Sequence, residues 1–201
     1  MAMASDAIAA GAWMAVVNVD TFGADAANEL GVSLERVVRV DLEVGTGVPG
    51  EGGTKNEFAS ADDPSRRWLE VMAAAVDGFD IVLAGVPSAW QSSDGARQAA
   101  AGQRSLAARL QQRGSVVILV GSTGTVPIDV TIRASSTWEG IGQGYGIISR
   151  RRLSAQSTGR RQPQLASCEL ELVAAGQRLG LRAISEVGGQ QAPVPDLRLV
   201  V

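Results

Sequence analysis

The feature that most constrains the fold is a short apolar segment near the middle of the chain, Phe79–Val86, interrupted only by Asp80. Asp77-Gly78 precedes it and Pro87-Ser88 follows it, so the segment has clear ends. A strand with continuous rather than alternating apolar side chains is typical of a parallel sheet covered by helices on both faces. The sequence therefore predicts a central strand here.

A second apolar segment, Ser115–Gly121, has the same character. A helical pattern from Asp94 to Arg113 separates the two segments, and Gly114 ends it. Two strands joined by a helix form a βαβ unit, in which the strands are parallel.

The first part of the chain alternates in the same way, which is typical of α/β proteins. A short helix is predicted over residues 1–10, then a strand over 13–19 and a helix over 24–30. Gly31 suits the left-handed position after that helix. A strand is predicted over 37–42, and Asp63-Pro64 begins a further helix. One face of that helix is apolar and is predicted to be core: Trp68, Leu69, Met72, Ala75 and Val76.

The pattern changes after residue 121, where antiparallel strands are expected. Residues 128–133 alternate as a half-buried strand does, and further strands are predicted over 146–156, 165–173 and 179–185. Cys168 shares a strand face with Leu170 and Leu172, so it is predicted to be a small core residue.

Length and composition predict one domain over residues 1–187, followed by a proline-punctuated tail over 188–201. The chain has 201 residues, of which 45% are hydrophobic and 19% are charged. A chain of this size and composition can bury a sizeable core.

Composition also limits the chemistry. The chain contains no histidine, which excludes Ser-His-Asp and Cys-His nucleophiles, histidine zinc sites and histidine bases. Its single cysteine excludes an internal disulfide. A net charge of −3 argues against a general electrostatic grip on nucleic acid. No segment has the pattern of a signal peptide or a membrane span, so a cytoplasmic location without membrane contact is expected.

A glycine-rich stretch contains a formal G-x-G-x-x-G pattern at Gly45, Gly47 and Gly50. In a dinucleotide site this pattern opens a helix whose amides hold a pyrophosphate. Here Pro49 lies inside the pattern and more glycines follow it. A loop extending to about Ala61 is therefore predicted rather than a nucleotide site.

The succession of elements resembles the RecA recombinase ATPase core over roughly residues 1–185. The match is closest over Val17–Arg39, where a strand, an acidic turn and the segment Glu29-Leu30-Gly31-Val32 look like the second strand and following helix of RecA. This resemblance implies a mostly parallel sheet of the P-loop NTPase type, flanked by helices.

Compared with that family, this sequence lacks the ATPase residues. No G-x-x-x-x-G-K-[ST] segment exists to hold phosphates. Gly85 stands where the resemblance implies a magnesium-binding acid, and Ser122 stands near the sensor glutamine position. Asp20 matches the position of the water-activating carboxylate and is interpreted as a remnant or as the cap of the following turn. We therefore expect no catalytic residues, cofactor or metal, and an unpaired sheet edge or gap where the P-loop strand is missing.

A shortened, degenerate RecA-like chain is similar to the ImuA-type accessory proteins of bacterial mutagenic repair, especially the short actinobacterial ImuA-prime form. That resemblance implies a non-enzymatic adaptor in a mutasome, the complex that carries out translesion synthesis in the SOS response to DNA damage. Its implied partner is an ImuB-type homologue of Y-family polymerases, with a DnaE2-type polymerase as an indirect partner and RecA as a further candidate.

Two alternatives stay open. The chain could be a RecA-like ATPase whose phosphate loop is truncated or supplied by a partner. It could also be an accessory factor that binds single-stranded DNA through a group of arginines that follow one another closely in sequence: Arg150, Arg151, Arg152, Arg160 and Arg161.

Overall fold

The computed structural model describes residues 2–42, 64–87, 93–121, 128–140, 150–160, 165–175 and 178–184. The chain divides into two compact units. One unit contains residues 10–23 and 34–127, and the other contains residues 1–9, 24–33 and 128–200. The glycine-rich stretch from Gly45 to Ala61, the residue Ser122 and the tail from residue 188 lie outside the described residues.

The unit around residues 34–127 is an α/β layer structure. Among the described residues its sheet has four strands, β1 (Met14–Val17), β2 (Val37–Val40), β3 (Ile81–Gly85) and β4 (Val116–Val120). All pairs are parallel and the strand order is β2-β1-β3-β4. Two helices precede β3 and β4, α3 (Pro64–Gly78) and α4 (Ser93–Arg113). The predicted α/β class and the βαβ unit around β3 are thereby confirmed.

The core of this unit lies between α3 and the central strands. β1 is buried at every residue, and β3 is buried from Ile81 to Ala84. Trp68 and Met72 of α3 pack with Val82 of β3, and Leu106 of α4 joins the same cluster. Burying such side chains is the main favourable term in folding. The apolar helix face predicted from the sequence is therefore the face that packs on the sheet.

Asp80, the charged residue in the apolar segment, aligns the two central strands. Its carboxylate accepts a hydrogen bond from the N–H of Trp13 at 2.8 Å. Its own N–H donates to the carbonyl of Trp13 at 3.1 Å, and its carbonyl accepts from Val116 at 2.9 Å. Asp80 is thus hydrogen-bonded to Trp13, which precedes β1, and to Val116, which begins β4. These bonds set the register at the start of β1, β3 and β4.

The helix ends follow the glycine positions predicted from sequence. The helix that the sequence places at 24–30 forms as α2 (Ala24–Glu29), and Gly31 after it has φ +85°. Gly114 after α4 has φ +71°. Glycine adopts such left-handed conformations without the steric cost that a Cβ adds.

The other unit contains an antiparallel sheet. In its described part the sheet has four strands in sequential order, β5 (Val130–Glu139), β6 (Arg150–Gly159), β7 (Ala166–Ala175) and β8 (Arg178–Ala183). The opening helix α1 (Ala2–Ala9) and α2 belong to the same unit. The antiparallel strands predicted after residue 121 are thereby confirmed, although β5 is longer than predicted.

Strand alternation and register divide the side chains of this sheet into two faces. We call one the apolar face; its larger members are Val130, Ile132, Trp138, Arg151, Leu153, Leu170, Leu172, Leu179 and Leu181. The opposite, charged face carries Glu139, Arg150, Arg152, Glu169, Glu171 and Arg182.

Two burial predictions for this sheet are wrong. β5 is not half-buried, because Val130 and Ile132 on its apolar face are 53% and 46% exposed. β5 is an outer strand of the described sheet, with β6 on one side. Cys168 is exposed rather than core. The register of β8 ends opposite Leu170, so Cys168 lies beyond the end of β8 and has a neighbouring strand on one side, where Ala155 is opposite it.

No helix within the described residues is long and apolar enough to cross a membrane.

Replacing Trp68 by Phe tests the polar contact of the buried indole. Trp68 is 1% exposed, and its N–H donates to the carbonyl of Gly85 at 2.8 Å. Phe keeps an aromatic ring but leaves this carbonyl without its donor, so the free energy of unfolding should fall by about 1–3 kcal/mol in urea titrations. The matched control is Trp13→Phe at a side chain that is 44% exposed, where a change below about 0.5 kcal/mol is expected. Equal losses in both variants would contradict this assignment.

Candidate functional site

In parallel α/β sheets, ligands bind beyond the carboxyl ends of the strands, so a ligand site of this sheet is expected at that edge. Gly85 is the last residue of β3, and Asp20 lies in the turn that follows β1. The register pairs Val17 with Ala84, which places the ends of β1 and β3 side by side. Asp20 and Gly85, two of the three positions at which the RecA resemblance implies ATPase residues, thus lie near the same edge of the sheet. Ser122, the third position, lies outside the described residues.

Asn18 determines the geometry at this edge. Its φ of 52° lies in the left-handed region, which asparagine tolerates better than most residues. Its N–H donates to the carbonyl of Val40 at 2.9 Å, which holds the end of β1 against β2. In this conformation the carbonyl oxygen of Asn18 lies directly against Gly85, and a Cβ built at position 85 would overlap it.

Gly85 is restrained from a second side by Trp68. The strand register of β3 with β1 ends at Ala84, one residue earlier, so the carbonyl of Gly85 extends beyond that pairing. It accepts the indole N–H of Trp68 instead. Position 85 therefore has its carbonyl engaged and no room for a side chain unless the backbone moves.

Asp20 has no such restraint. It is exposed, and the turn around it is closed by the backbone bond from the N–H of Phe22 to the carbonyl of Val19 at 3.1 Å. In the described residues no hydrogen bond or ion pair involves its carboxylate. Nor do three Asp, Glu, Cys or His side chains come together anywhere in that part of the chain as potential metal ligands. Sequence reasoning identified Asp20 and Gly85 but missed Asn18 and Trp68, whose interactions depend on tertiary packing.

The second candidate site is the arginine-rich strand β6. Alternation along the strand directs Arg150 and Arg152 to the charged face and Arg151 to the apolar face. The three consecutive arginines therefore do not form one basic patch. Arg160 lies just after β6, where its N–H donates to the carbonyl of Asp129 at 2.9 Å, and Arg161 lies outside the described residues.

Carboxylates from neighbouring strands pair with three arginines of the charged face, Arg150, Arg152 and Arg182. Glu139 lies 3.3 Å from Nε of Arg152 and 3.7 Å from Arg150. Glu171 lies 2.7 Å from Nε of Arg150 and 2.5 Å from Arg182. These ion pairs cross from β5 through β6 and β7 to β8, so opposite charges stabilise each strand pairing.

Glu171 is the centre of this network. Its residue is 8% exposed, unusually low for a carboxylate. The hydrogen bond from Arg182 lowers the pKa of Glu171 below its ordinary value of 4.5, and attraction from Arg150 and Arg152 adds to this effect while burial opposes it. The ionised form is therefore favoured in the folded protein.

Arg151, on the apolar face, has a different environment. Its guanidinium lies 4.4 Å from the centre of the Trp138 ring, and Nη2 is 3.5 Å from Oγ of Ser136. Its Nε is buried and has no hydrogen-bond partner. Within the described residues no carboxylate pairs with Arg151, in contrast to both of its neighbours in sequence.

The fold and these sites together define an α/β protein whose parallel sheet has a glycine-restrained carboxyl edge and whose C-terminal strands form a separate antiparallel sheet. The model of the family described as the MT3502 N-terminal domain matches residues 1–49 and 46–125. This is more than half of the chain, and the chain belongs to that family. The match ends just before β5, so it spans the parallel sheet and stops short of the antiparallel one. No curated protein matches the chain.

Gly85→Ala tests whether position 85 is closed. The added Cβ would overlap the Asn18 carbonyl, so we expect a loss of about 1–3 kcal/mol in the free energy of unfolding, measured in urea. Gly78→Ala is the matched control, because a Cβ at the end of α3 meets no atom within 4 Å. That control should leave stability unchanged or raise it by up to about 1 kcal/mol. A stable Gly85→Ala protein would show that the position has room.

Glu171→Gln tests the ion-pair network through its pH dependence. A carboxylate whose folded-state pKa is lowered adds stability above its ordinary pKa and loses it as the pH falls through the lowered value. Wild type should therefore exceed Glu171→Gln in unfolding free energy by the largest margin above about pH 5, with the margin shrinking at lower pH.

The control for this comparison is Glu169→Gln, an exposed residue on the same face of β7. Its stability difference from wild type should stay small across the same pH range. A margin for Glu171→Gln that is constant with pH would contradict the assigned ionisation.

Proposed function

We propose that this chain is a non-catalytic, RecA-like adaptor of a damage-induced translesion synthesis complex, and that it binds an ImuB-type polymerase homologue. The observation that carries the proposal is the closed position at Gly85, between the Asn18 carbonyl and the Trp68 indole. A magnesium-dependent ATPase of this type needs a carboxylate at the end of this strand. Here a side chain at that place would overlap the carbonyl of Asn18, the residue that follows β1.

The strand order gives further support to a RecA-like origin. In a RecA-like sheet the P-loop strand lies near the centre, so a chain without it should have a gap or an open edge. β4 is an edge strand among the described strands, although its sequence, Val-Val-Ile-Leu-Val, is typical of a central strand.

Some peptide groups of β4 point toward that edge. The N–H of Val116 donates to Asp80 in front of β3. Because peptide groups alternate in direction along a strand, those of Val117 and Leu119 point away from β3. An apolar edge without charges or proline is a liability in an isolated chain and a template for strand addition by a partner. An adaptor role fits this edge.

Both alternatives receive less support from the site geometry. An ATPase with a phosphate loop from a partner would still need a metal ligand near position 85. A single-stranded DNA factor would use the basic residues of β6, but Arg150 and Arg152 are paired with Glu139 and Glu171. Paired arginines release fewer counterions on phosphate binding, which reduces the electrostatic gain.

Co-purification with an ImuB-type protein tests the proposal. The full chain, mixed at micromolar concentration with a purified ImuB-type homologue, should elute with it as one complex in size-exclusion chromatography. Magnesium-ATP should leave the melting temperature of the chain unchanged, because a ligand that does not bind the folded state cannot stabilise it. RecA and a DnaE2-type polymerase can be added in turn to order the contacts. Absence of any complex, or a rise in melting temperature with magnesium-ATP, would contradict the adaptor function.

A further inference from the structure

An apolar cleft lies within the unit that contains the antiparallel sheet. Its lining comes from α2 and the turn after it on one side and from the apolar face of the sheet on the other. We call it the leucine cleft, and its residues are Ala26, Leu30, Leu153, Leu172, Leu179 and Leu181, together with Arg151. Its volume is about 200 Å³.

The size of the leucine cleft restricts what it can hold. Pockets for drug-sized ligands and cofactors usually enclose about 300–1,000 Å³. The leucine cleft is smaller than this range, and its volume suits one large apolar side chain. Pockets of this kind are typical of binding hot spots, in which a single anchor side chain of the partner is buried away from water.

Arg151 gives the leucine cleft a charge preference. It is the polar residue in a lining that is otherwise leucine and alanine. Its guanidinium lies over Trp138, and its buried Nε–H donates to no acceptor. The described carboxylates of the sheet strands, Glu139, Glu169 and Glu171, lie on the opposite face, where other arginines engage Glu139 and Glu171. Because no described carboxylate neutralises this guanidinium, a partner carboxylate would meet an unpaired cation and would form a charge-assisted bond with it.

Exposed aromatic surface lies beside this arginine. Trp138 is 51% exposed. Tryptophan and arginine are among the residue types most enriched at binding hot spots. The pair thus offers an exposed aromatic ring and, through Arg151, an unpaired cation in the lining of the cleft.

From these features we propose that the leucine cleft binds a short acidic segment of a protein partner, with an apolar anchor in the cleft and an adjacent carboxylate on Arg151. This inference rests on the proposed adaptor function: the leucine cleft would be the surface through which the adaptor binds its partner, and an acidic segment would be the part of the partner that it binds. On the charged face of the same sheet, Arg150, Arg152 and Arg182 are already paired with Glu139 and Glu171.

Fluorescence polarisation with short labelled peptides tests the inference on the full chain. The probe has a central Phe flanked by glutamates in a Gly-Ser background; one comparison peptide replaces the glutamates by lysines, and another replaces Phe by Ala. The glutamate-Phe peptide should bind, and both comparison peptides should bind at least about tenfold more weakly, because each lacks either the charge-assisted bond or the buried anchor.

Two variants separate the charge from the cavity. Arg151→Met replaces the cation by an uncharged side chain of similar length, and it should weaken binding by about tenfold or more. Its matched control is Arg152→Met, one residue along on the opposite face, which should change binding by less than about twofold. Ala26→Leu places another strong helix former at an exposed position of α2, so the helix should be kept. Its larger side chain fills the cleft and should abolish binding. Ala24→Leu on the same helix is its control.

Several results would overturn the inference: equal binding of all three peptides, equal effects of Arg151→Met and Arg152→Met, or no effect of Ala26→Leu. Self-association of wild type that both Arg151→Met and Ala26→Leu abolish would instead make the cleft a contact between copies, and binding of labelled oligo-dT with the same dependence would make it a nucleic-acid site. Either outcome would show this proposal to be wrong.

The same variants distinguish this inference from the proposed function. If the ImuB-type protein forms a complex that Arg151→Met leaves intact, and the peptides do not bind, the adaptor function stands and the cleft assignment fails. If the peptides bind as expected but no ImuB-type complex forms, the cleft assignment stands and the choice of partner fails.

Discussion

The close approach of β1 and β3 at their carboxyl ends is the constraint on which the account of this protein depends. Asn18 takes a left-handed conformation and turns its carbonyl toward Gly85, while Trp68 donates to the carbonyl of Gly85 from within the core. Position 85, at the edge where parallel α/β sheets usually hold a ligand, therefore has no room for a side chain. Backbone packing restricts this position.

The antiparallel sheet separates its arginines by strand alternation. A run of three in the sequence becomes two that are neutralised by Glu139 and Glu171 and one, Arg151, that meets Trp138 and an apolar cleft. Pairing on one face stabilises the sheet, and the unpaired cation on the other face is free to recognise charge. The same short sequence thus contributes to stability and, by our inference, to partner selection.

Much of the fold could be predicted from the sequence, because continuous apolar runs such as Ile81–Gly85 and helix-ending glycines such as Gly31 and Gly114 report local structure directly. The α/β class, the βαβ unit and the antiparallel C-terminal strands were all accessible in this way. The exposure of Cys168 was not, since it depends on where β8 ends relative to β7. RecA-like ancestry, the mutasome partners and the extent of the domain stay predictions.

The candidate site was less predictable than the fold. Gly85 and Asp20 could be singled out by resemblance, but no sequence signal shows that the Asn18 carbonyl closes position 85 or that a tryptophan seventeen residues earlier reaches it. Arg151 could be named only as one of five basic residues. Its distinct role follows from register, because Trp138 lies opposite it across β5 and β6 while Glu139 lies opposite Arg150.

Hydrogen–deuterium exchange of the full chain, measured alone, with magnesium-ATP and with an ImuB-type partner, tests whether the chain binds a partner protein but no nucleotide at the Gly85 edge. A scaffold closed at Gly85 should show unchanged exchange in peptides covering residues 14–22 and 81–87 when nucleotide is added, and reduced exchange at surface segments when the partner is added. Protection of those two peptides by magnesium-ATP, with no response to the partner, would contradict it.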